Sequence, residues 1–252
     1  MTDTRASRGA ALVTGGSKRI GRAICLALAA AGYDLAIHHR DSGPEADDVA
    51  QAVRDLGRRA MVLTADLTDE TATRALVPAA VAALGPLTAL VNNASVFEDD
   101  RVGSLDRATW DRHLDTNLRA PIVLAETFAA QAPDGSAIVN LLDQRVLKPD
   151  PRFFSYSLSR NALWWATQTL AQALAPAIRV NGVGPGPTLP SVHQTEAEFA
   201  AEAAGTLLQR PGSPEAVAAA VRWLLDADMV TGQMIAVDGG QHLAWRTPDI
   251  LE

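Results

Sequence analysis

The chain has 252 residues, of which 48% are hydrophobic, and its formal net charge is −7. This length can bury a sizeable core, and the negative charge argues against nucleic acid as the main partner. A single cysteine excludes an intrachain disulfide, the first ten residues lack the apolar core of a signal peptide, and no apolar run reaches the roughly 18 residues of a membrane helix. We therefore expect a cytoplasmic protein, not bound to membranes, that acts on small molecules.

Strand-like and helix-like segments alternate along the whole chain. The predicted strands are 10–14, 35–38, 60–64, 87–91, 137–142, 178–183 and 235–237. The predicted helices are 17–31, 44–56, 69–84, 108–132, 155–175 and 213–225. Short apolar strands separated by helices indicate a parallel sheet covered on both faces. Right-handed crossovers then favour one doubly wound, Rossmann-type α/β domain over 1–252, with a mostly seven-stranded parallel sheet.

The stretch after the sixth predicted strand differs from the rest. Residues 184–190 are irregular, and a short helical pattern follows at 196–208. Because loops on a rigid scaffold often carry function, we predict a substrate lid at about residues 187–211.

The first strand leads into a glycine-containing turn, TGGSKRIG, at 14–21. The glycines permit a tight turn, and the N-terminus of the next helix offers free N–H groups and a partial positive charge to a diphosphate. The glycines of this turn do not have the common G-x-G-x-x-G spacing. The prediction of a binding site therefore depends on the position of the turn in the first βα unit. We predict dinucleotide binding; a purely structural turn is the alternative.

Basic residues follow the second strand. His39 and Arg40 lie at its end, and Lys18 and Arg19 lie in the neighbouring turn. An acidic residue at this place holds the ribose 2′-hydroxyl of NAD, whereas an arginine accommodates the 2′-phosphate of NADP. We therefore predict NADP(H). Asp41 is either a solvated loop residue or weakens this preference by repelling the phosphate.

Three residues suggest proton transfer. Tyr156 and Arg160 are four residues apart on a predicted helix and so share a face, while Asp143 follows the fifth strand. A carboxyl group near a phenol beside a cation is suited to moving a proton. Taken alone, a surface tyrosine, a helix salt-bridge partner and a loop aspartate would be the simpler interpretation.

The order of motifs resembles the short-chain dehydrogenase/reductase family over nearly the whole chain. The matching motifs are TGGSKRIG, Asp66 in TADLTD, NNAS at 92–95, Asn117 in LDTNL, Tyr156-x-x-x-Arg160, GPG at 184–186 and DGG at 238–240. With the basic strand end, the resemblance implies these cofactor contacts: Thr14, Gly15, Ser17, Lys18, Arg19, Ile20, Gly21, His39, Arg40, Asp66, Leu67, Asn92, Ala94, Tyr156, Arg160, Pro185 and Gly186. It also implies a homotetramer.

Two departures from the ordinary family pattern narrow the range of possible substrates. Asp143 stands where ordinary members carry serine, and Arg19 replaces the middle glycine of their turn. Pteridine reductases and bacterial dihydromonapterin reductases share both features. The trypanosomatid enzymes also have NNAS followed by a phenylalanine that stacks on the pterin, which Ser95 and Phe97 match. The resemblance thus implies a pterin-like substrate that contacts Arg19, Ser95, Phe97, Asp143 and Tyr156.

The implied reaction is hydride transfer from NADPH to a C=N or C=O bond, with Tyr156 as the proton donor and no metal. The implied catalytic set is Asn117, Asp143, Tyr156 and Arg160. A nearby cation favours the phenolate, so we expect Arg160 to lower the pKa of Tyr156 from about 10. An ionised Asp143 has no donor and suits a ring N–H or amino group better than an oxyanion. Since guanidinium is broader than ammonium, we expect Arg160 to reduce activity.

Two other functions stay open at this point. The chain could be a reductase of a ketone, sugar or 3-oxoacyl thioester, or a weakened NADP-binding module, as Arg160 suggests. His193, in the predicted lid, is interpreted as a solvated loop histidine, with a substrate-facing role as the alternative.

Overall fold

The structure is a computed structural model in which residues 7–246 are described. The strands are β1 (Ala10–Val13), β2 (Asp34–His39), β3 (Ala60–Thr64), β4 (Leu87–Asn92), β5 (Ser136–Leu141), β6 (Ile178–Pro185) and β7 (Met234–Val237). The α-helices are α1 (Arg19–Ala31), α2 (Gly43–Asp55), α3 (Glu70–Leu84), α4 (Arg107–Leu114), α5 (Ala120–Ala129), α6 (Phe154–Leu174), α7 (Glu196–Ala204) and α8 (Pro214–Asp226).

The strands form one parallel seven-stranded sheet in the order β3-β2-β1-β4-β5-β6-β7. The predicted doubly wound α/β fold is confirmed. The chain first builds outward from β1 to β3 and then returns to place β4 on the other side of β1. The loops after β1 and β4 therefore diverge at the switch point, where such sheets bind ligands.

Alternating side chains of the strands pack against helices on both faces of the sheet. In β1, Ala11 and Val13 join a core with α1, α2 and α8, whereas Ala10 and Leu12 join a second core with α3, α5 and α6. This alternation follows from the two-residue period of a strand. Both faces are apolar, as expected for a sheet covered on both sides.

The structure corrects three predicted boundaries. The predicted helix 108–132 is divided by a π-helical turn, Asp115–Arg119, between α4 and α5. Strand β6 extends to Pro185, into the stretch predicted to be irregular, and α7 ends at Ala204 rather than at 208. Because a π turn keeps the chain helical, the residue pattern did not reveal the division. Within residues 7–246, no helix is long and apolar enough to cross a membrane.

Candidate active site

A cavity of about 1290 Å³ opens where β4, β5 and β6 end. The glycine turn, the loops after these strands, and α7 with the segment before it surround the cavity. Its lining includes all of the predicted substrate contacts: Arg19, Ser95, Phe97, Asp143 and Tyr156. Arg160 lines it as well. The fold thus brings together residues from four separate parts of the chain.

Tyr156 and Asp143 are joined directly. The phenolic hydroxyl of Tyr156 donates to Asp143 Oδ2 at 2.8 Å, and the Tyr156 side chain is buried. Asp143 caps the 3-10 turn Gln144–Val146, because its Oδ1 accepts the main-chain N–H of Arg145 at 2.8 Å. The end of β5 and the start of α6 therefore hold the carboxylate and the phenol in contact. Because Tyr156 is buried, the simpler interpretation of a surface tyrosine is wrong.

Arg160 lies one helical turn beyond Tyr156 and is buried, with its guanidinium carbon 5.3 Å from the phenol ring centroid. The predicted shared face is confirmed. Its Nη1 donates to the main-chain oxygen of Leu141 at 3.0 Å. Its Nε has no hydrogen-bond partner among the described residues. At least the Nε–H of this buried guanidinium is therefore available to a ligand in the cavity.

The pKa of Tyr156 is raised strongly above its ordinary value, even though Arg160 lowers it as expected. Burial is the largest cause, because it disfavours the phenolate, and the negative charge of Asp143 acts in the same direction. Arg160 and Arg145 oppose this shift without reversing it. Tyr156 therefore carries its proton at neutral pH, as a proton donor must.

Asn117 lies in the π-helical turn and is fully buried. Its Oδ1 accepts the main-chain N–H of Val96 at 2.9 Å, and its Nδ2 donates to the oxygen of the same residue at 2.9 Å. Nδ2 also contacts Ser159 Oγ at 3.2 Å. The Asn117 side chain thus holds the loop that carries Ser95 and Phe97.

Four rings form an aromatic cluster at the cavity: Phe97, Phe153, Tyr156 and His193. Phe97 stacks on Phe153 with ring centroids 4.2 Å apart, and meets the Tyr156 ring edge-on at 4.7 Å. His193 Nε2 lies 3.1 Å from the main-chain oxygen of Phe97. His193 is exposed, as predicted, but it also contacts the cavity wall. Phe153 was not predicted, because nothing in the sequence around it marks it as a site residue.

Arg19 connects the glycine turn to the segment before α7. Its Nη2 donates to the main-chain oxygens of Leu189 at 3.3 Å and Pro190 at 3.0 Å. Its backbone has φ of 50°, the left-handed conformation that glycine adopts freely. Arginine therefore occupies a glycine-like position, at a cost of about 1 kcal/mol, and places a long cation at the cavity.

The glycine turn fits a diphosphate. Helix α1 begins there with no side-chain cap from Lys18 and no acidic residue in its first turn, so its N-terminal N–H groups and partial positive charge remain available. A Cβ at Gly21 would lie 2.0 Å from the Gly15 oxygen, which shows how closely the turn and helix approach. Ile20, Pro185 and Gly186 line the cavity beyond the turn.

The predicted 2′-phosphate surface carries two exposed ion pairs. Arg40 pairs with Asp41 at 2.8 Å, and Lys18 pairs with Glu45 at 2.7 Å. Exposed pairs of this kind contribute little to stability, so both cations can turn towards a phosphate. The Arg40 guanidinium lowers the pKa of Asp41, which therefore remains charged on this surface.

Some predicted cofactor residues form hydrogen bonds that hold the loops around the site in place. His39 is buried, where its Nδ1 accepts the main-chain N–H of Ser42, and the Ser42 hydroxyl lies 2.6 Å from that of Ser17. Thr14 Oγ1 accepts the N–H groups of Asn93 at 2.9 Å and Ala94 at 3.0 Å, which joins the two loops at the switch point.

Of three further predicted contacts, Asn92 and Leu67 are buried, whereas Asp66 is exposed. Asn92 is buried in the sheet and donates to Asn140, whereas its neighbour Asn93 lines the cavity. Asp66 accepts the N–H and hydroxyl of Thr68, and these bonds lower its pKa; Leu67 beside it is buried.

The chain is similar to several known proteins. A family model described as enoyl-(acyl carrier protein) reductase matches residues 15–242. The crystal structure of FolM alternative dihydrofolate reductase 1 from Brucella canis, complexed with NADP, is 48% identical, with 97% of this chain and 98% of that chain covered and a TM-score of 0.93. A short chain dehydrogenase from Burkholderia cenocepacia in complex with NADP is 35% identical, with 94% and 99% covered and a TM-score of 0.90. The 3-oxoacyl-(acyl-carrier-protein) reductase FabG of Aggregatibacter actinomycetemcomitans is 35% identical over 238 residues, 91% of this chain and 97% of that protein.

Proposed function

Because this chain belongs to the short-chain dehydrogenase/reductase family, and similar solved structures hold NADP, we propose that it uses NADPH to reduce a pterin-like ring, from the dihydro to the tetrahydro form. The observation that carries the proposal is the bond of 2.8 Å between Tyr156 and Asp143 at the cavity. A proton donor thus lies beside a carboxylate rather than beside a hydroxyl.

The carboxylate favours a nitrogen heterocycle. An ionised carboxylate only accepts hydrogen bonds, so Asp143 would repel the oxyanion that develops when a simple ketone is reduced. A pterin presents ring N–H and amino groups, which donate to such an acceptor. Phe97 and Ser95 line the same cavity, where an aromatic wall suits a flat ring.

NADP(H) supplies the hydride when it is bound, and the chain supplies position and the proton. The carbon of the C=N bond gains the hydride with its electron pair, and the nitrogen gains the phenolic proton of Tyr156. The product is a CH–NH unit, and the remaining phenolate recovers a proton from solvent. The guanidinium of Arg160, 5.3 Å from the ring centroid, stabilises that phenolate.

Similarity to the FolM alternative dihydrofolate reductase supports a pterin-like substrate, while similarity to FabG supports a second candidate, reduction of a 3-oxoacyl thioester. Asp143 favours the first. The raised pKa of Tyr156 suits both, because either reaction needs a protonated donor.

We also propose a homotetramer in which α5 and α6 form subunit contacts. Leu158 and Trp165 lie seven residues apart on α6 and are both exposed, which leaves an apolar strip on this helix. Sedimentation analysis of the protein, with Trp165→Gln as the variant, tests this. A monomer at all concentrations would contradict it.

A steady-state assay tests the proposed reaction. Purified protein is supplied with NADPH or NADH and with dihydromonapterin, dihydrobiopterin or an acetoacetyl thioester, and NAD(P)H oxidation is followed. We expect the largest kcat/KM with a dihydropterin and NADPH. Turnover of the thioester without turnover of either dihydropterin would overturn the pterin proposal. Tight NADPH binding with no turnover by the wild type or by Arg160→Lys would favour a binding module.

A further inference from the structure

Arg145 holds both oxygens of Asp143. Its main-chain N–H donates to Oδ1 at 2.8 Å, and its Nη1 lies 3.3 Å from Oδ2. Oδ2 is also the atom that accepts the Tyr156 hydroxyl. The Arg145 side chain is only 15% exposed, so this is a mostly buried ion pair. No motif in the sequence singles out Arg145.

Packing fixes the Arg145 guanidinium in place. Its carbon lies 5.7 Å from the ring centroid of Phe97 and 5.5 Å from that of Phe153, so the cation contacts the stacked pair. Its Nε is 4.0 Å from Asp150 Oδ2 and has no hydrogen-bond partner among residues 7–246. The charge is therefore held beside Asp143 by rings and by a second carboxylate.

Proton donation creates a charge problem at this place. When Tyr156 gives up its proton, the phenolate oxygen faces a carboxylate oxygen that lies 2.8 Å away in the present structure. Two like charges at such a distance strongly disfavour ionisation. Arg160 lies over the ring of Tyr156, whereas Arg145 forms an ion pair with the carboxylate of Asp143.

We propose that Arg145 is a positioning residue that balances the charge of Asp143, so that Tyr156 can donate its proton beside a carboxylate. With Asp143 at −1 and two arginines at +2, the cluster has a charge of +1 before proton transfer and 0 after it. Without Arg145 the same step runs from 0 to −1 in a buried site, which is unfavourable. This inference rests on the proposed role of Tyr156 as the proton donor.

The competing explanation is that Arg145 only stabilises its loop through Asp150 and Phe153. The two explanations differ in how Arg145 depends on Asp143. A charge-balancing residue loses its importance once Asp143 is neutral, whereas a loop-stabilising residue keeps it. A double-mutant cycle separates them.

The cycle compares the wild type, Arg145→Met, Asp143→Asn and the double variant in single-turnover and steady-state assays with NADPH and a dihydropterin. Methionine keeps an unbranched side chain and removes the charge. We expect Arg145→Met to lower kcat about 100-fold in the wild-type background, as for loss of a group that stabilises developing charge. In the Asp143→Asn background we expect a loss of less than about 3-fold, because the carboxylate charge is absent.

The matched control is Arg107→Met. Arg107 is exposed and pairs with Asp111 at 2.8 Å outside the cavity. The control variant therefore also removes one cation of an ion pair, but it leaves the site unchanged. We expect its kcat and KM to equal those of the wild type. The urea midpoint and the NADPH Kd of each variant report whether the fold and the cofactor site are intact. If Arg145→Met does not fold, Arg145→Gln takes its place in the cycle.

An equal loss of kcat in both backgrounds, or no loss with Arg145→Met, would overturn the inference. If the wild type reduces the thioester and not the dihydropterin, the pterin proposal fails, and the cycle is run with the thioester.

A second experiment needs no turnover and uses the Tyr33→Phe background, in which Tyr156 is the remaining one of the two tyrosines. In that background we expect phenolate absorbance to appear at higher pH after Arg145→Met; an unchanged onset contradicts the inference.

Discussion

His38 accepts the main-chain N–H of Gly15 through Nδ1 at 3.2 Å, which ties β2 to the cofactor turn. Its Nε2 lies 3.1 Å from the main-chain oxygen of Ala65, so this nitrogen carries the proton. Burial lowers the pKa of His38 to about 4. The neutral ring is therefore part of the support for the glycine turn, because a protonated Nδ1 could no longer accept from Gly15.

This relationship predicts a loss of stability in acid. The folded pKa of His38 is about 4 and the unfolded value is about 6.5, so the unfolded state binds more protons between these values. The stability is present above about pH 6.5 and falls by about 3 kcal/mol as the pH drops to about 4. Urea unfolding at several pH values measures it, with His38→Asn as the comparison.

In His38→Asn, the side-chain oxygen replaces Nδ1 as the acceptor for Gly15 but does not titrate. We expect its unfolding free energy to depend less on pH over the same interval. We also expect the NADPH Kd of the wild type to rise more steeply below about pH 5 than that of the variant. Equal pH slopes in the two proteins would show that His38 is not the group responsible.

Tyr156→Phe is predicted to lower kcat about 1000-fold, because it removes the proposed proton donor and leaves the ring in place. The NADPH Kd should change little. Since the pKa of Tyr156 is raised, the donor stays protonated across neutral pH, and kcat should not fall from this group up to about pH 10. The control is Tyr33→Phe, which should keep wild-type kcat, because Tyr33 directly precedes β2 at the end of that strand away from the cavity. Near-normal kcat in Tyr156→Phe would mean that another group donates the proton.

Arg160→Lys is predicted to increase kcat by a factor of about 3 to 10, because ammonium is a compact charge that leaves no unpaired Nε in the buried site. Arg160→Met, which removes the charge, is predicted to lower kcat about 100-fold. Steady-state kinetics at one saturating NADPH concentration compares the three proteins. A decrease in both variants would show that this site has adapted to guanidinium.

Arg19→Gly is predicted to change stability and substrate binding in opposite directions. Glycine relieves the backbone at φ of 50°, so the unfolding free energy should rise by up to about 1 kcal/mol. Loss of the bonds to Leu189 and Pro190 should raise the dihydropterin KM about 10-fold, with a smaller change in kcat. Arg22→Gly, on the exposed face of α1, is the control for removing a cation. An unchanged KM in Arg19→Gly would exclude the contact to this segment as a determinant of binding.

The sequence by itself predicted the sheet, the glycine turn and those cavity residues that belong to recognisable motifs, such as Arg19, Asp143 and Tyr156. Strand and helix periods are local properties of the chain, and they predicted the order of elements to within a few residues at most ends. The spacing of Tyr156 and Arg160 is equally local, because a helix of known period places residues four apart on one face. The motifs, in their order, then led from these elements to NADP(H).

Only the tertiary structure decided the charge state and the neighbours of these residues. The direction of the Tyr156 pKa depends on burial and on Asp143, which reaches it from another part of the chain. Arg145 and Phe153 have no motif, and they enter the site because the β5–α6 connection folds back over the cavity. Desolvation and pairing depend on what surrounds a group in three dimensions, and residue spacing along the chain does not contain that information.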